Sequence, residues 1–374
     1  MTSMSAIGLM SGTSLDGVDV ALLNTDGERI EQFGPTGYRA YSDDDRVLLR
    51  HALGAAANLP DRTTRSRILT EVEGMITRVH ADAVETFLAA NGIAAADIRV
   101  IGFHGQTVLH RPERRVTVQL GDAQALASQL GIPVVSDLRV ADVEAGGQGA
   151  PIVPVYHQAL VRMLDVPQPV CVVNIGGVAN VTFIDGDAAP VACDTGPGNA
   201  LLDDFMRLRT GQFQDRDGAT AAAGRVDADA VARVLAHPYF RQAPPKSLDR
   251  NDFRGWVADH GGLVECPVAD GAATLTAITA ASIARVVDVL PKPPKTWIIA
   301  GGGAHNPTLM RMLAERVAPA TVTTADSVGW SVDALEAQAF AFLAVRSLRG
   351  LPLTFPGTTG VAAPMTGGVL VKPA

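Results

Sequence analysis

Residues 10–19 read MSGTSLDGVD, small and hydroxyl-bearing side chains with two carboxylates, Asp16 and Asp19. Where side chains are this small, several backbone N–H groups can converge on one anion with the hydroxyls of Ser11, Thr13 and Ser14, as a phosphate-cradling loop requires. No Gly-Lys-Ser/Thr follows, so the run is not a Walker loop, and an ordinary glycine and aspartate hairpin turn would use the same residues. Two further runs repeat the theme, NIGGVAN at 174–180 and IIAGGGAHN at 298–306. Either one alone reads as a turn. Three glycine-rich turns, each after an apolar stretch, are a more specific pattern, because they let phosphates and a nucleoside approach bare backbone. Asn306 ahead of Pro307 is placed to open a helix beyond the third turn.

The run ACDTGPGNALLDDFM at 192–206 adds a candidate base. Asp194 closes an apolar strand, Gly196, Pro197 and Gly198 stiffen a turn, and Asn199 is placed to cap the next helix. A carboxylate at a strand end beside a helix N-terminus suits a general base, although a turn-stabilising aspartate would stand in the same place. GFHGQTVLHRP at 102–112 sets His104, Gln106, His110 and Arg111 just beyond a buried strand, where both ligand groups and structural histidines occur. In DLRVADVEAGGQGAP at 137–151, Arg139 brings a planar fork that matches a carboxylate, and the glycines suit a hinge; a surface ion pair is equally consistent with the arginine. Glu336 follows Asp333 in D-x-x-E spacing, which predicts a capping box for a helix running to Arg349, and from the helix start it could also reach a ligand.

The elements that must position these residues repeat. Strands at 6–11 and 18–23 flank the first glycine turn and end at Asp26-Gly27; strands at 171–176 and 178–184 flank the second and end at Asp185-Gly186. The recurrence, about 165 residues on, predicts a duplicated α/β unit, with domains at 1–155 and 156–374. Between the hairpins, Ile68, Leu69, Val72, Ile76, Val79, Ala83 and Phe87 make one face of a helix over 61–90 that Asn91-Gly92 stops. A strand follows at 98–103, then a short helix capped by Asp122 and ended by Gly131, then a strand at 132–137. In the second half the pattern predicts a helix at 274–290 and a strand at 296–303 that ends in glycines. Alternating strands and helices mean α/β. Residues 236–256 break the pattern with prolines and charges and read as a long loop, which compact domains rarely keep without use. Residues 350–374, rich in Gly, Pro and Thr, should wrap over a surface and return to the first domain.

Bulk properties narrow the partners. With 374 residues the chain exceeds the size at which one hydrophobic core stops growing, and 47% hydrophobic and 19% charged residues describe a globular protein. A formal net charge of -8 argues against nucleic acid or an anionic membrane as partner, so any phosphate must be held locally. The three cysteines, Cys171, Cys193 and Cys266, lie too far apart for a CxxC pair and suit a reducing cytoplasm. Neither a signal peptide nor an unbroken run of about 18 apolar residues is present, so the expectation is a soluble cytoplasmic protein.

Taken together, MSGTSLDGVD, FHGQT, VSDLRVADVEAGGQGAPIVPVYH, NIGGVANVT, CDTGPGNALLDD, PPKSLDRNDF and GGGAHN resemble the anhydro-N-acetylmuramic acid kinase family, from GLMSGTSLDGVDVALL to GTTGVAAPMTGGVL. The resemblance implies two duplicated actin-like, ribonuclease H-like domains of the actin, sugar kinase and heat-shock chaperone superfamily, with a nucleotide and substrate cleft between them. It implies hydrolytic opening of the 1,6-anhydro ring with transfer of the ATP γ-phosphoryl to oxygen 6, in cell-wall recycling. On this reading Gly12, Thr13, Ser14, Leu15, Asp16, Gly17, Val18 and Asp19 form the first phosphate loop, Asn174, Gly176 and Gly177 the second, and Gly301, Gly302, Gly303 and Asn306 the adenosine turn. Asp194 is the base, His104, Gln106, Arg139, Asn199 and Glu336 serve the sugar, and Asp16 is placed on Mg²⁺. Many superfamily members begin both hairpins with a metal-holding Asp; Gly8 and Asn174 stand at the corresponding positions, so Asp16 or Asp19 would act on the metal through water. The superfamily also implies a homodimer. Two rival classes remain, a nucleotide-independent glycosidase and a nucleotide-gated module without chemistry, besides a kinase of another amino sugar. The glycosidase leaves three glycine turns unexplained, and a gated chaperone needs a peptide-binding region for which 374 residues leave no room.

Overall fold

A computed structural model of the chain describes residues 2–12, 14–248 and 252–374. The chain divides into two compact units, Met1–Met163 with Asp333–Ala374, and Leu164–Val332. In the first unit, β1 (Met4–Ser11), β2 (Gly17–Thr25) and β3 (Ile30–Ala40) form an antiparallel meander, and β4 (Val100–Arg111) and β6 (Val134–Ser136) continue it in parallel from β1. The short β5 (Val116–Leu120) returns antiparallel along the far end of β4. The second unit has β7 (Val170–Ile175), β8 (Val178–Ile184) and β9 (Val191–Pro197) as its meander, with β10 (Thr296–Ala300) and β11 (Thr321–Thr324) in parallel beyond β7. The strand orders, β3-β2-β1-β4-β6 and β9-β8-β7-β10-β11, are the same. This is the duplicated α/β arrangement expected from the two hairpins.

Strands buried on both faces need helices on both faces. In the first unit the helix Arg67–Asn91, started after Ser66 and stopped at left-handed Gly92, buries Leu69, Val72, Ile76, Val84 and Phe87. Its start falls later than the predicted 61 because Asp61 folds the preceding residues into a turn, accepting bonds from the N–H groups of Thr63 and Thr64. The other face is covered by the helix Leu335–Leu348 from the end of the chain. A Cβ on Gly8 would lie 1.8 Å from the Ala337 carbonyl oxygen, and one on Gly102 2.0 Å from that of Phe340. Glycine at these points is what lets the helix backbone lie directly on β1 and β4. That packing moves the domain division away from 155/156: the first unit runs to Met163 and regains the chain at Asp333. The C-terminal stretch stays with it, and β12 (Val369–Val371) pairs antiparallel with β6.

In the second unit, Val173, Ile175, Val181, Ile278, Ile283, Trp297 and Ile299 build the core under the helix Val268–Arg285. That helix starts earlier than the predicted 274 and passes into a 3₁₀ turn at Val286–Val289. The run Val268–Val289 has a mean hydropathy of 1.4 over its most apolar window, enough by length and composition to cross a membrane, yet 72% of that window is buried in the protein.

Candidate active site

In the first unit the β1–β2 turn is stitched from below. Ser11, buried at the end of β1, donates to Gln106 Oε1 (2.6 Å) and accepts from the Tyr41 hydroxyl (2.7 Å), while Gln106 Nε2 donates to the Gly12 carbonyl (3.1 Å). Gln106, expected to serve the sugar, thus spends both ends of its amide on the glycine turn. Within the turn Leu15 adopts a left-handed φ of 58°, and Asp16 Oδ1 accepts from Ser14 Oγ (2.7 Å) and the Gly17 N–H (3.0 Å). Arg46 Nε caps the Leu15 carbonyl at 3.2 Å. Gly17 and Val18 are buried in β2, and Thr13 lies outside the described residues.

Asp19 is half-buried on β2, opposite Met10. Burial first, then the negative charges of Asp16, Glu336 and Asp333, push its carboxyl up to about 6. A set of carboxylate oxygens that repel one another is the donor chemistry that a hard divalent cation relieves, although among the described residues no three of them stand close enough to clasp one directly. The residues therefore fit Mg²⁺ held with its water shell. The capping box expected of Asp333 and Glu336 is absent. A 3₁₀ turn at Val332–Ala334 leads into the helix, whose N-cap is Ala334 with helical dihedrals and no side-chain cap. Glu336 is exposed on the first turn, close enough in charge to bear on Arg139.

Arg139 donates from Nε to His104 Nε2 (3.2 Å) and from Nη1 to the Gly149 carbonyl (2.8 Å). His104 is buried against Phe340, and its Nδ1 bonds the Gly105 carbonyl (2.7 Å), so the ring carries its proton on Nδ1. Burial and the nearby Arg139 charge push it down to about 3, and it is neutral. The glycine stretch, read as a hinge, is clasped: the Asp142 carboxylate accepts from the Gly149 N–H and from the hydroxyls of Thr354 and Thr359 (2.6, 2.5 and 2.6 Å), and His110 Nε2 bonds the Gln148 carbonyl (2.9 Å). Neither Asp142 nor the two threonines carried a sequence signal, since their partners lie more than 200 positions apart.

In the second unit the turn at 176–177, the turn after β9 at 198–199 and the turn at 301–303 meet. The Asn199 N–H donates to the Gly176 carbonyl (2.8 Å), Asn199 Nδ2 to that of Ile175 (3.2 Å), and the Gly198 N–H to that of Gly177 (3.0 Å). Asn199 therefore binds the β7–β8 turn and makes no side-chain cap for the helix Ala200–Thr210, contrary to expectation. Gly301, with φ 76°, and Gly303 pass so close to β7 that a Cβ would lie 2.4 Å from Asn174 Oδ1 and from Ile175 Cγ2 respectively. Gly302 stays exposed between them, and Asn306 caps the helix Pro307–Val317 by accepting from the Leu309 N–H (3.0 Å), as predicted. These turns stand at the carboxyl ends of the parallel strands β7 and β10, where open α/β sheets take ligands.

Asp194 lies within β9, which continues to Pro197, so it does not end the strand as expected. It pairs with Asn180 across the sheet. The segment read as a long loop holds it on three sides: the Asp194 N–H donates to the Lys246 carbonyl (2.9 Å), its carbonyl accepts from the Tyr239 hydroxyl (2.8 Å), and Oδ2 accepts from the Leu248 N–H (2.7 Å). Burial pushes the carboxyl up to about 6, against the Leu248 bond and the Lys246 charge that pull it down. A partly buried carboxyl titrating near neutrality is a competent general base.

Twin α/β units with glycine turns at the ends of their first strands are the arrangement expected of the actin and sugar kinase class. A family model described as anhydro-N-acetylmuramic acid kinase matches residues 4–373. Proteins named anhydro-N-acetylmuramic acid kinase from Nitrobacter winogradskyi and Azorhizobium caulinodans are 61% and 60% identical, each over 99% of this chain and 100% of the relative. The chain belongs to the anhydro-N-acetylmuramic acid kinase family. Among solved structures it is similar to component A of the (R)-2-hydroxyglutaryl-CoA dehydratase of Acidaminococcus fermentans (11% identical, 92% of this chain and 99% of that one, TM-score 0.47). It is also similar to a ROK family glucokinase from Streptomyces griseus in complex with glucose and AMPPNP (13% identical, 91% and 99%, TM-score 0.41).

Proposed function

We propose that this kinase opens the 1,6-anhydro bridge of 1,6-anhydro-N-acetylmuramic acid with water and phosphorylates oxygen 6 from ATP, giving N-acetylmuramic acid 6-phosphate and ADP, in the cytoplasmic recycling of cell-wall peptidoglycan. Full-length membership of a family so named supports the substrate, and Asp194 carries the mechanism. Water attacks the anomeric carbon and gives a proton to Asp194; the bond from that carbon to oxygen 6 breaks, and oxygen 6 takes the γ-phosphoryl as ADP leaves. A glycosidase of ordinary design needs a second, protonated carboxyl for the leaving oxygen. Here the phosphoryl group traps that oxygen, so one carboxylate suffices.

Residues 12–19, Asn174, Gly176 and Gly177 are assigned to the phosphates, and Gly301, Gly302, Gly303 and Asn306 to the nucleoside. Asp16 and Asp19 would hold Mg²⁺ through its waters, where it would neutralise phosphate charge when bound. Arg139, fixed by His104 and Gly149, keeps further N–H groups for the lactyl carboxylate, with Asn199 and Glu336 assigned to the remaining sugar contacts. Gln106 and His104 support these groups from beneath. The working assembly is taken to be a homodimer with small-molecule partners only.

Turnover in ¹⁸O-water tests the reaction. The label should enter the anomeric hydroxyl and leave the transferred phosphate unlabelled. Labelled free phosphate as the main product would mean plain ATP hydrolysis, and a labelled sugar without ADP would mean a glycosidase; either overturns the proposal.

A further inference from the structure

The segment between the helix Ala228–Leu235 and the helix Asp252–His260 has no role in the scheme above, yet its residues Tyr239, Lys246 and Leu248 bond the backbone and the carboxylate of Asp194. Lys246 is its least expected member. Its side chain is only 8% exposed, and Nζ donates to the Tyr239 carbonyl (3.0 Å) while sitting 4.5 Å above the Tyr239 ring centroid. Tyr239 is locked edge-on against Phe240 and Phe253, and from that position its hydroxyl reaches the Asp194 carbonyl. The Lys246 backbone carbonyl takes the Asp194 N–H. One lysine therefore closes a ring of contacts, from its own ammonium through Tyr239 to Asp194 and back to its own carbonyl.

Burying an ammonium is costly unless something answers its charge. Two anionisable groups bear on Lys246, the Cys193 thiol and the Asp194 carboxyl, and burial pushes the thiol well up, to about 12. The thiol is neutral near pH 7, which leaves Asp194 as the counter-charge among the described residues. Among the described residues, the groups that β9 meets from its other neighbours do not titrate there. β8 presents Asn180 opposite Asp194, the helix Val268–Arg285 presents Ser282 and Thr279 to Gly196 and Gly198, and the Tyr239 hydroxyl is committed as a donor.

We propose that Lys246 is a positioning residue for the reaction: with Tyr239 it fixes the backbone that aims Asp194, and its charge sets the pH range in which that carboxylate can accept the proton of water. The inference rests on Asp194 being the base. Removing the positive charge leaves the carboxylate buried without its counter-charge, so protonation reaches to higher pH and the acid limb of activity moves with it.

The test is the pH profile of kcat/KM for the anhydro sugar in the wild type, Lys246→Met, Lys246→Arg and Tyr239→Phe. The acid limb should lie near 6 in the wild type. It should rise by about 1 pH unit in Lys246→Met, giving a loss roughly fivefold larger at pH 6 than at pH 8. Lys246→Arg, which keeps the charge, should hold the limb in place. Tyr239→Phe, which breaks the ring but keeps the lysine, should lower kcat at every pH with the limb unmoved. A Lys246→Met profile parallel to the wild type, lowered equally at all pH values, would overturn the proposal. Lys246→Gln serves as a second neutral variant, and loss of the fold in both neutral variants with Lys246→Arg intact would assign the lysine to packing and overturn it as well. Failure of the underlying reading looks different: Asp194→Asn would then turn over near the wild-type rate, whereas an inactive Asp194→Asn with an unshifted Lys246→Met profile sinks this proposal alone.

Discussion

Replacing Asp194 by Asn should abolish turnover and make the protein more stable, and both effects have one cause. The carboxyl is displaced from an ordinary 3.8 to about 6, chiefly by burial. At about 1.4 kcal/mol per pH unit, that displacement amounts to about 3 kcal/mol of cost carried by the folded state when the group is ionised. The sign follows from proton binding. An acid whose folded-state pKa is raised binds protons more tightly folded than unfolded, so stability falls as pH rises between 3.8 and about 6, and the whole cost is present above that range. Asparagine keeps the shape and can still accept the Leu248 N–H, now at 2.7 Å, but carries no charge. The variant should therefore be stabilised by up to about 3 kcal/mol at pH 8 and by about half of that at pH 5. For a unit of this size the pH 8 figure corresponds to a rise in Tm of roughly 5–10 °C. Thermal melts of both proteins at pH 5 and pH 8, read beside ADP release with the anhydro sugar, make the comparison. Turnover should fall by ~10² or more while ATP and sugar still bind. A variant that melts below the wild type at pH 8, a Tm difference that ignores pH, or near wild-type turnover would refute the reasoning.

Arg139→Ala should raise KM for the anhydro sugar far more than KM for ATP, as steady-state kinetics with each substrate varied in turn would show; an equal rise in both would remove the arginine from the sugar. Asp19→Asn, which takes one carboxylate out of the repelling group, should raise the Mg²⁺ concentration for half-maximal turnover on the order of tenfold and weaken the Mg²⁺-dependent gain in Tm, and an unchanged Mg²⁺ dependence would place the metal elsewhere. Gly102→Ala puts a methyl group 2.0 Å from the Phe340 carbonyl oxygen and should cost more than about 3 kcal/mol in urea unfolding, whereas Gly54→Ala, in the helix Asp43–Ala56 with nothing within 4 Å, should cost nothing and gain up to about 1 kcal/mol.

The repeated strand, glycine turn, strand pattern made the duplication legible, because the period of 2 and the turn residues are local signals. Caps at Asp122 and Asn306 were legible for the same reason, each being decided within three residues. The domain division was not. The helix Leu335–Leu348 follows the second unit in sequence and packs in the first, and what admits it is the missing side chain at Gly8 and Gly102, which leaves no pattern for a reader of the chain to follow. Local signals also misled where a competing conformation won. Asp333 and Glu336 have capping-box spacing, but the 3₁₀ turn at Val332–Ala334 moves the helix start past the aspartate and turns both carboxylates into neighbours of Asp19.

At the site, the residues singled out by chemical type were sorted by the structure into two kinds. Gln106 and His104, placed by sequence just beyond a strand, lie within β4, and the structure spends their side-chain bonds on the glycine turn and on Arg139, while Asn199 gives one amide N–H to the β7–β8 turn. A glycine turn has few side chains with which to hold its own shape, so the rigidity that phosphate binding demands must be imported from neighbours. The same argument explains why the segment at 236–248 escaped interpretation. Its proline and charge content marks it as irregular, and irregular backbone cannot satisfy itself, so it must bond to something. In this protein that something is Asp194: a strand residue whose N–H, carbonyl and carboxylate are all held by one loop has little freedom left to turn away from a bound substrate. A loop that reads as irregular by composition thus becomes the part of the molecule on which the orientation of Asp194 depends.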